Sequence, residues 1–198
     1  MDMTTDYRSM KRWFQVLLIC HSITIGISLL GLIPALGGVL NWISRGLAVA
    51  GVVALFGLGK FRDRYRTAAI LNAAAIGGNL LSLILRQNLL TMGLSICAIV
   101  ASWFELTGHS QLTQSFDGRL SRKWHNLFYW ELGVGLLSGF FSVVAVIIAV
   151  LAQVDTEVLT HAVVAAISIC NAALGLARVI YLKKTIPFLE EDPFQLLT

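Results

Sequence analysis

Long apolar runs alternate with short polar or charged segments along this chain, and the pattern predicts transmembrane helices. Six of the runs are close to the ~20 residues that a helix needs to cross the hydrocarbon core of a bilayer. The runs place helices at about 13–33, 40–59, 67–85, 89–106, 127–152 and 158–182. The predicted fold class is therefore all-α: a polytopic transmembrane helix bundle in which six helices form three hairpins.

The segments between the runs carry turn residues or charge. Residues 34–41 include one proline and two glycines, which punctuate helical patterns. Residues 86–88 predict a tight connection between the third and fourth helices. The longest polar stretch, 107–126, ends in basic residues and a tryptophan, and we expect it to lie along the inner membrane surface.

Six spans use most of the 198 residues, so there is no room for a separate soluble domain. Residues 1–186 are predicted as a single six-helix transmembrane domain. Residues 187–198 are rich in acidic residues and proline, and are predicted as an unstructured acidic cytoplasmic tail.

Composition agrees with a membrane protein. The chain is 57% hydrophobic and 13% charged, with a mean hydropathy of +0.76, whereas soluble domains are roughly 25% charged. Its net charge is +4, but the cationic residues lie in short clusters beside the apolar runs and not on one exposed face, as nucleic-acid binding requires. We expect the partner to be the lipid bilayer, with anionic lipid at the cytoplasmic face, and no nucleic acid.

The distribution of lysine and arginine predicts the orientation. Of the 15 cationic residues, all but Arg45 and Arg86 fall on one side when the runs are threaded as alternating spans. The densest cluster is the segment Lys60 to Arg66. By the positive-inside rule, this side is the cytoplasm, and both termini are inside.

Residues with catalytic or metal-binding chemistry are sparse. Cys20, Cys97 and Cys170 each stand alone in an apolar run, so they are interpreted as small buried hydrophobic residues. His21 lies in the inner part of the first helix and His161 near the outer end of the sixth, so the two are not at the matching depth that a haem needs. No zinc-binding, aspartyl or serine-hydrolase pattern occurs in the sequence. We therefore expect no metal, no cofactor and no enzymatic activity.

Polar residues within the predicted spans recur at helical spacing. Asn72 and Asn79 share one face of the third helix, Ser95 continues a small-residue face of the fourth, and Asn171 lies on such a face of the sixth. These faces are predicted to turn inward, because polar groups avoid lipid. They line either a polar cavity or permeation path, or close contacts between helices that small residues permit.

Three charged residues fall inside the predicted spans near their inner ends. Glu105 ends the fourth helix, Glu131 lies about one turn into the fifth, and Arg178 about one turn before the end of the sixth. Their similar depth allows Arg178 to pair with either carboxylate and so join the helices. The alternative is that each charge reaches interfacial water independently.

The segment Gly57 to Ala68 reads as a glycine-rich helix end, a charged turn and a Tyr-Arg-x-Ala helix start, and follows Leu30-Gly31-Leu32-Ile33-Pro34. In this it resembles small bacterial six-helix membrane proteins of unknown function. The resemblance implies a multi-pass protein of the bacterial cytoplasmic membrane and supplies no activity. In size and number of spans the chain is also similar to the substrate-capturing subunits of vitamin-uptake transporters.

Two functions follow from these patterns. The first is a small integral inner-membrane protein with a structural or accessory role, acting through a protein partner or as a homo-oligomer. The alternative is a transporter or channel component with a polar site between the helices. A solvent-filled cavity lined by Asn72, Asn79, Ser95 and Asn171 favours the alternative, and a closely packed interior favours the first.

Overall fold

The computed structural model describes residues 3–30, 33, 36–85, 88–152 and 156–189. Within these ranges the chain is helical, as the apolar periodicity predicted. The six long helices are α1 (Met3–Leu30), α2 (Gly37–Leu58), α3 (Asp63–Leu85), α4 (Asn88–Thr113), α5 (Gly118–Ala152) and α6 (Thr156–Thr185). A short 3₁₀ helix, Ile186–Leu189, follows α6.

The helices form a closed ring in chain order. Each packs against the helix before it, and α6 packs against α1. Short connections between successive helices produce this arrangement, because they make neighbours antiparallel. The contact between α1 and α6 closes the ring and is also covered by the 3₁₀ helix, which touches both.

Four helices in the described part of the chain are long and apolar enough to cross a membrane. The candidate spans are Arg8–Leu30, Gly38–Leu58, Gly118–Ala145 and Ala162–Leu189. They belong to α1, α2, α5 and α6. The chain is therefore compatible with a membrane protein.

The buried core lies at one end of the ring, which we call the basic end. This end contains the Lys60 to Arg66 segment, the turn between α4 and α5, the start of α1 and the end of α6. The largest side chains buried there are Trp124, Tyr65, Phe14, Leu17, Leu58, Leu106 and Leu182. The opposite end, which we call the far end, instead exposes large apolar side chains such as Leu29, Val39, Ile147 and Leu151.

The structure corrects the predicted surface segment at 107–126. α4 continues to Thr113 and α5 begins at Gly118. The polar stretch therefore forms the end of α4, a short turn and the start of α5. Its small polar side chains are satisfied locally: Thr113 Oγ1 donates to the carbonyl of His109 at 2.9 Å, and the Ser110 and Ser121 hydroxyls lie 3.0 Å apart.

Asp117 defines the start of α5. Its Oδ1 accepts hydrogen bonds from the backbone N–H groups of Arg119 and Leu120 at 2.8 and 3.1 Å, which is the geometry of a helix N-cap. These bonds hold the pKa of Asp117 below its usual range, and the bond from Leu120 has the larger effect. A capped start explains why α5 begins nine residues before the apolar run.

The predicted boundaries of α1, of α3 and of the C-terminal tail also need correction. α1 begins at Met3, before the apolar run, and α3 begins at Asp63 within the charged turn. The tail prediction was wrong for its first residues, since Leu189 is 4% exposed and joins the core at the basic end. The rest of the tail, 190–198, lies outside the described residues, as do residues 86 and 87.

Candidate ligand site between the helices

Arg178 is the centre of a charged network at the edge of the buried core that faces the far end. Its Nε and Nη2 donate to the two carboxylate oxygens of Glu131 at 2.5 and 2.6 Å. Its Nη1 donates to Glu105 Oε1 at 3.2 Å, and Nη2 also reaches Ser102 Oγ at 2.9 Å. Ser102 in turn donates to Glu131 Oε2 at 2.7 Å. The network joins α4, α5 and α6.

Two histidines and a tyrosine extend this network to α1 and α3. Nε2 of His21 lies 3.7 Å from Glu105 Oε1, and Nε2 of His109 lies 3.8 Å from the same oxygen. Both distances allow a charge interaction but exceed a hydrogen bond. The hydroxyl of Tyr65 is 2.8 Å from Nδ1 of His109. Five of the six helices therefore contribute to one polar cluster.

The surroundings of His109 favour a neutral ring with one tautomer. Its side chain is 1% exposed, and burial lowers the pKa of His109. Nε2 faces a carboxylate that only accepts, so this nitrogen carries the proton, and Nδ1 accepts from the Tyr65 hydroxyl. Burial, with the charge of Glu105 adding to it, raises the pKa of Tyr65, so the phenol remains protonated and able to donate.

Two cavities open from this network toward the far end. The smaller, of about 360 Å³, lies between α1, α2, α3 and α4 and is lined by His21, Asn72, Asn79, Glu105 and Arg178 among others. The larger, of about 610 Å³, lies between α3, α4, α5 and α6 and is lined by residues including Asn72, Ser95, Ser102, Glu105, Glu131 and Arg178. Volumes of this size hold small-molecule ligands in other proteins.

Three of the four polar residues predicted to lie in the interior line one or both of these cavities. Asn72 lines both cavities, Asn79 lines the smaller and Ser95 the larger. Asn171 lines neither of these two cavities and is exposed. It lies two turns from Arg178 on the same face of α6.

The charged residues predicted as an inner cluster are brought together. Glu105 is 6% exposed, and Arg178 donates hydrogen bonds to both Glu105 and Glu131. Sequence reasoning missed His109 and Tyr65, because both were assigned to connecting segments. A signal was present: continuing α4 by one turn places His109 four residues after Glu105, on the same face.

The cysteines do not behave uniformly. Cys20 is buried, as predicted, and lines the smaller cavity. Cys97 is half-buried and Cys170 is exposed, so the prediction of three buried cysteines was wrong for the last two. Across the described ranges, no three His, Cys, Asp or Glu residues form a group able to hold a metal ion.

Comparison with known proteins adds no relative. The chain matches no protein-family model, no curated protein sequence and no solved structure.

Proposed function

We propose that this protein is a transporter or channel component that binds a small molecule between its helices. The observation that carries the proposal is the pair of cavities that meet at Glu105 and Arg178. Polar and charged groups inside a membrane-spanning bundle are costly, and usually mark a pathway for a substrate or ion. A structural or accessory role alone would not need polar space of this size.

The closed and open ends suggest how a ligand reaches this site. On the basic-end side of the network, the core is filled by large side chains, including Phe14, Tyr65 and Trp124. Rings there lie in contact, with the centroids of His109 and Trp124 4.5 Å apart. On the other side of the network, the cavities extend toward the far end. A ligand thus enters from the far end and rests on the network, with the basic end closed.

The proposed topology is six spans with both termini in the cytoplasm. The closed ring supports it, because α3 packs against the candidate span in α2 and α4 packs against the candidate span in α5, with successive helices alternating in direction. Exposed aromatic residues mark suitable boundaries: Tyr129 and Trp130 near the basic end, and Trp42 at the far end. The guanidinium of Arg45 lies 4.9 Å from the Trp42 ring, which suits a lipid headgroup region. With the resemblance noted above, these features favour a bacterial cytoplasmic membrane.

Cysteine accessibility tests whether the cavities are water-filled pathways. In a variant without native cysteines, Ala98→Cys introduces a thiol into the wall of both cavities. Ile96→Cys is the matched control, because Ile96 lies on the same helix and is exposed away from these cavities. We expect a hydrophilic thiol reagent to label residue 98 in membranes, and residue 96 far more slowly, because the reactive thiolate forms in water. Equal protection of both positions would contradict the proposal.

Ligand binding is tested by filling the same space. Fractions of a bacterial small-molecule extract are screened for an increase in the melting temperature of the purified protein. We expect at least one fraction to stabilise the wild type and Ile96→Trp but not Ala98→Trp, whose indole occupies the cavities. Stabilisation that persists in Ala98→Trp would place the ligand elsewhere.

A further inference from the structure

We infer that the larger cavity binds a monovalent organic cation with an apolar body, and that Glu105 supplies its counter-charge. This inference rests on the proposed function, and it specifies the substrate class. Three features of the site support it: the engagement of Arg178, the incomplete neutralisation of Glu105, and the shape and lining of the cavity.

Arg178 is already committed to protein groups. Its Nε, Nη1 and Nη2 all donate hydrogen bonds, to Glu131, Glu105 and Ser102. An anionic ligand would have to displace a carboxylate that is held in a two-bond, fork-like geometry, which is among the strongest polar contacts in proteins. The guanidinium is therefore unsuited to recognising an anion here.

Glu105 differs from Glu131 in how fully it is neutralised. Both oxygens of Glu131 accept from Arg178, and one also accepts from Ser102. Glu105 receives one longer contact from Arg178, at 3.2 Å, and its two imidazole neighbours stay beyond hydrogen-bond distance. Two carboxylates against one guanidinium leave one excess negative charge, and Glu105 accepts the fewer and longer hydrogen bonds from Arg178.

That excess charge faces the cavities. Glu105 is in the wall of both, and a carboxylate away from bulk water is costly unless a cation compensates it. His109 does not supply this charge at neutral pH, because burial lowers its pKa. A cationic group in the larger cavity would complete the balance.

The lining of the larger cavity selects an organic cation over a metal ion. Beyond the charged groups, its wall includes Ile99, Phe128, Leu132 and Leu136. These side chains suit an apolar body attached to an ammonium group. Among the described residues, no three His, Cys, Asp or Glu side chains form a group able to hold a bare metal ion, which needs several ligands. An aromatic wall residue is also favourable for a cation.

Three probes of nearly the same shape test the sign of the charge. They are 2-phenylethylammonium, 2-phenylethanol and phenylacetate, added separately to the purified protein at pH 8, where imidazoles are normally neutral. Melting temperature is measured against probe concentration. We expect the ammonium probe to stabilise the wild type at concentrations at least about tenfold lower than the alcohol, and phenylacetate to have no effect.

Two variants then assign the effect to Glu105. Glu105→Gln keeps the shape of the side chain and removes the charge, so the advantage of the ammonium probe over the alcohol should be lost. Asp63→Asn, which removes an exposed carboxylate outside the cavities, should bind like the wild type.

Specific results would overturn the inference. They are stabilisation by phenylacetate equal to that by the ammonium, no effect of the ammonium on the wild type, or an unchanged ammonium response in Glu105→Gln. The wild-type comparison remains decisive even where Glu105→Gln fails to fold. Labelling of Ala98→Cys is independent of ligand charge, so these results would leave the proposed function standing while removing the cation.

Discussion

The guanidinium of Arg178 binds the carboxylate of Glu131 through two hydrogen bonds, from Nε to Oε1 at 2.5 Å and from Nη2 to Oε2 at 2.6 Å. The two side chains are 15% and 17% exposed, so they are largely shielded from solvent. This pair fastens α6 to α5 at the level where the core at the basic end gives way to the cavities.

Reversing one charge of this pair should destabilise the bundle. Arg178→Glu places three carboxylates together, and we expect the free energy of unfolding in detergent to fall by about 3 kcal/mol or more. The exchanged double variant, Arg178→Glu with Glu131→Arg, should recover part of the loss. Lys183→Glu, at an exposed position of α6, is the control and should change stability by less than ~0.5 kcal/mol. A double variant no more stable than the sum of its single variants would contradict a direct pair.

Gly57 allows α1 to approach α2 closely. A Cβ atom at this position would overlap the indole of Trp13. Gly57→Ala should therefore lower the free energy of unfolding by about 1–3 kcal/mol, because the core must shift to accept one methyl group. Gly46→Ala is the matched control in the same helix, since a Cβ there meets nothing within 4 Å. It should be neutral or stabilising by up to ~1 kcal/mol, and equal losses at both positions would contradict close packing at Gly57.

His109 should make stability depend on pH. Burial lowers its pKa in the folded protein, so below the ~6.5 of an unfolded histidine the unfolded chain binds more protons than the folded one. Stability is therefore fully present above about pH 6.5 and decreases as pH falls toward the folded pKa. Melting temperatures at pH 8 and pH 5 should differ less in His109→Gln than in the wild type or in His125→Gln. An unchanged difference in His109→Gln would contradict this source of pH dependence.

The orientation can be tested with single cysteines at opposite ends. Arg62 is exposed in the basic turn before α3, and Thr156 begins α6 at the far end. In cells that express a variant without native cysteines, we expect an impermeant thiol reagent to label Thr156→Cys directly and Arg62→Cys only after lysis. Labelling of Arg62→Cys alone in intact cells would invert the proposed topology.

Helical periodicity accounts for the part of the site that sequence could predict. Glu105 and Arg178 each continue the small or polar face of their own helix, and a face is fixed by spacing along a single chain segment. Their predicted meeting with Glu131 required only that the faces turn inward at similar depth. Periodicity gives a direction around a helix and not the distance to the next helix, so it did not indicate which polar residues line a cavity.

The sequence by itself determined the helices, their number in the described chain and the side on which the basic residues gather, since apolar run length and charge are local properties. The extension of α4 through a polar stretch was decided by tertiary structure, because His109 gains its contacts with Tyr65 and Phe14 only when α4 meets α3 and α1. Ring closure between α1 and α6, and the cavities left above Arg178, depend on how six helices share space. Packing between distant segments sets that geometry, and no single segment encodes it.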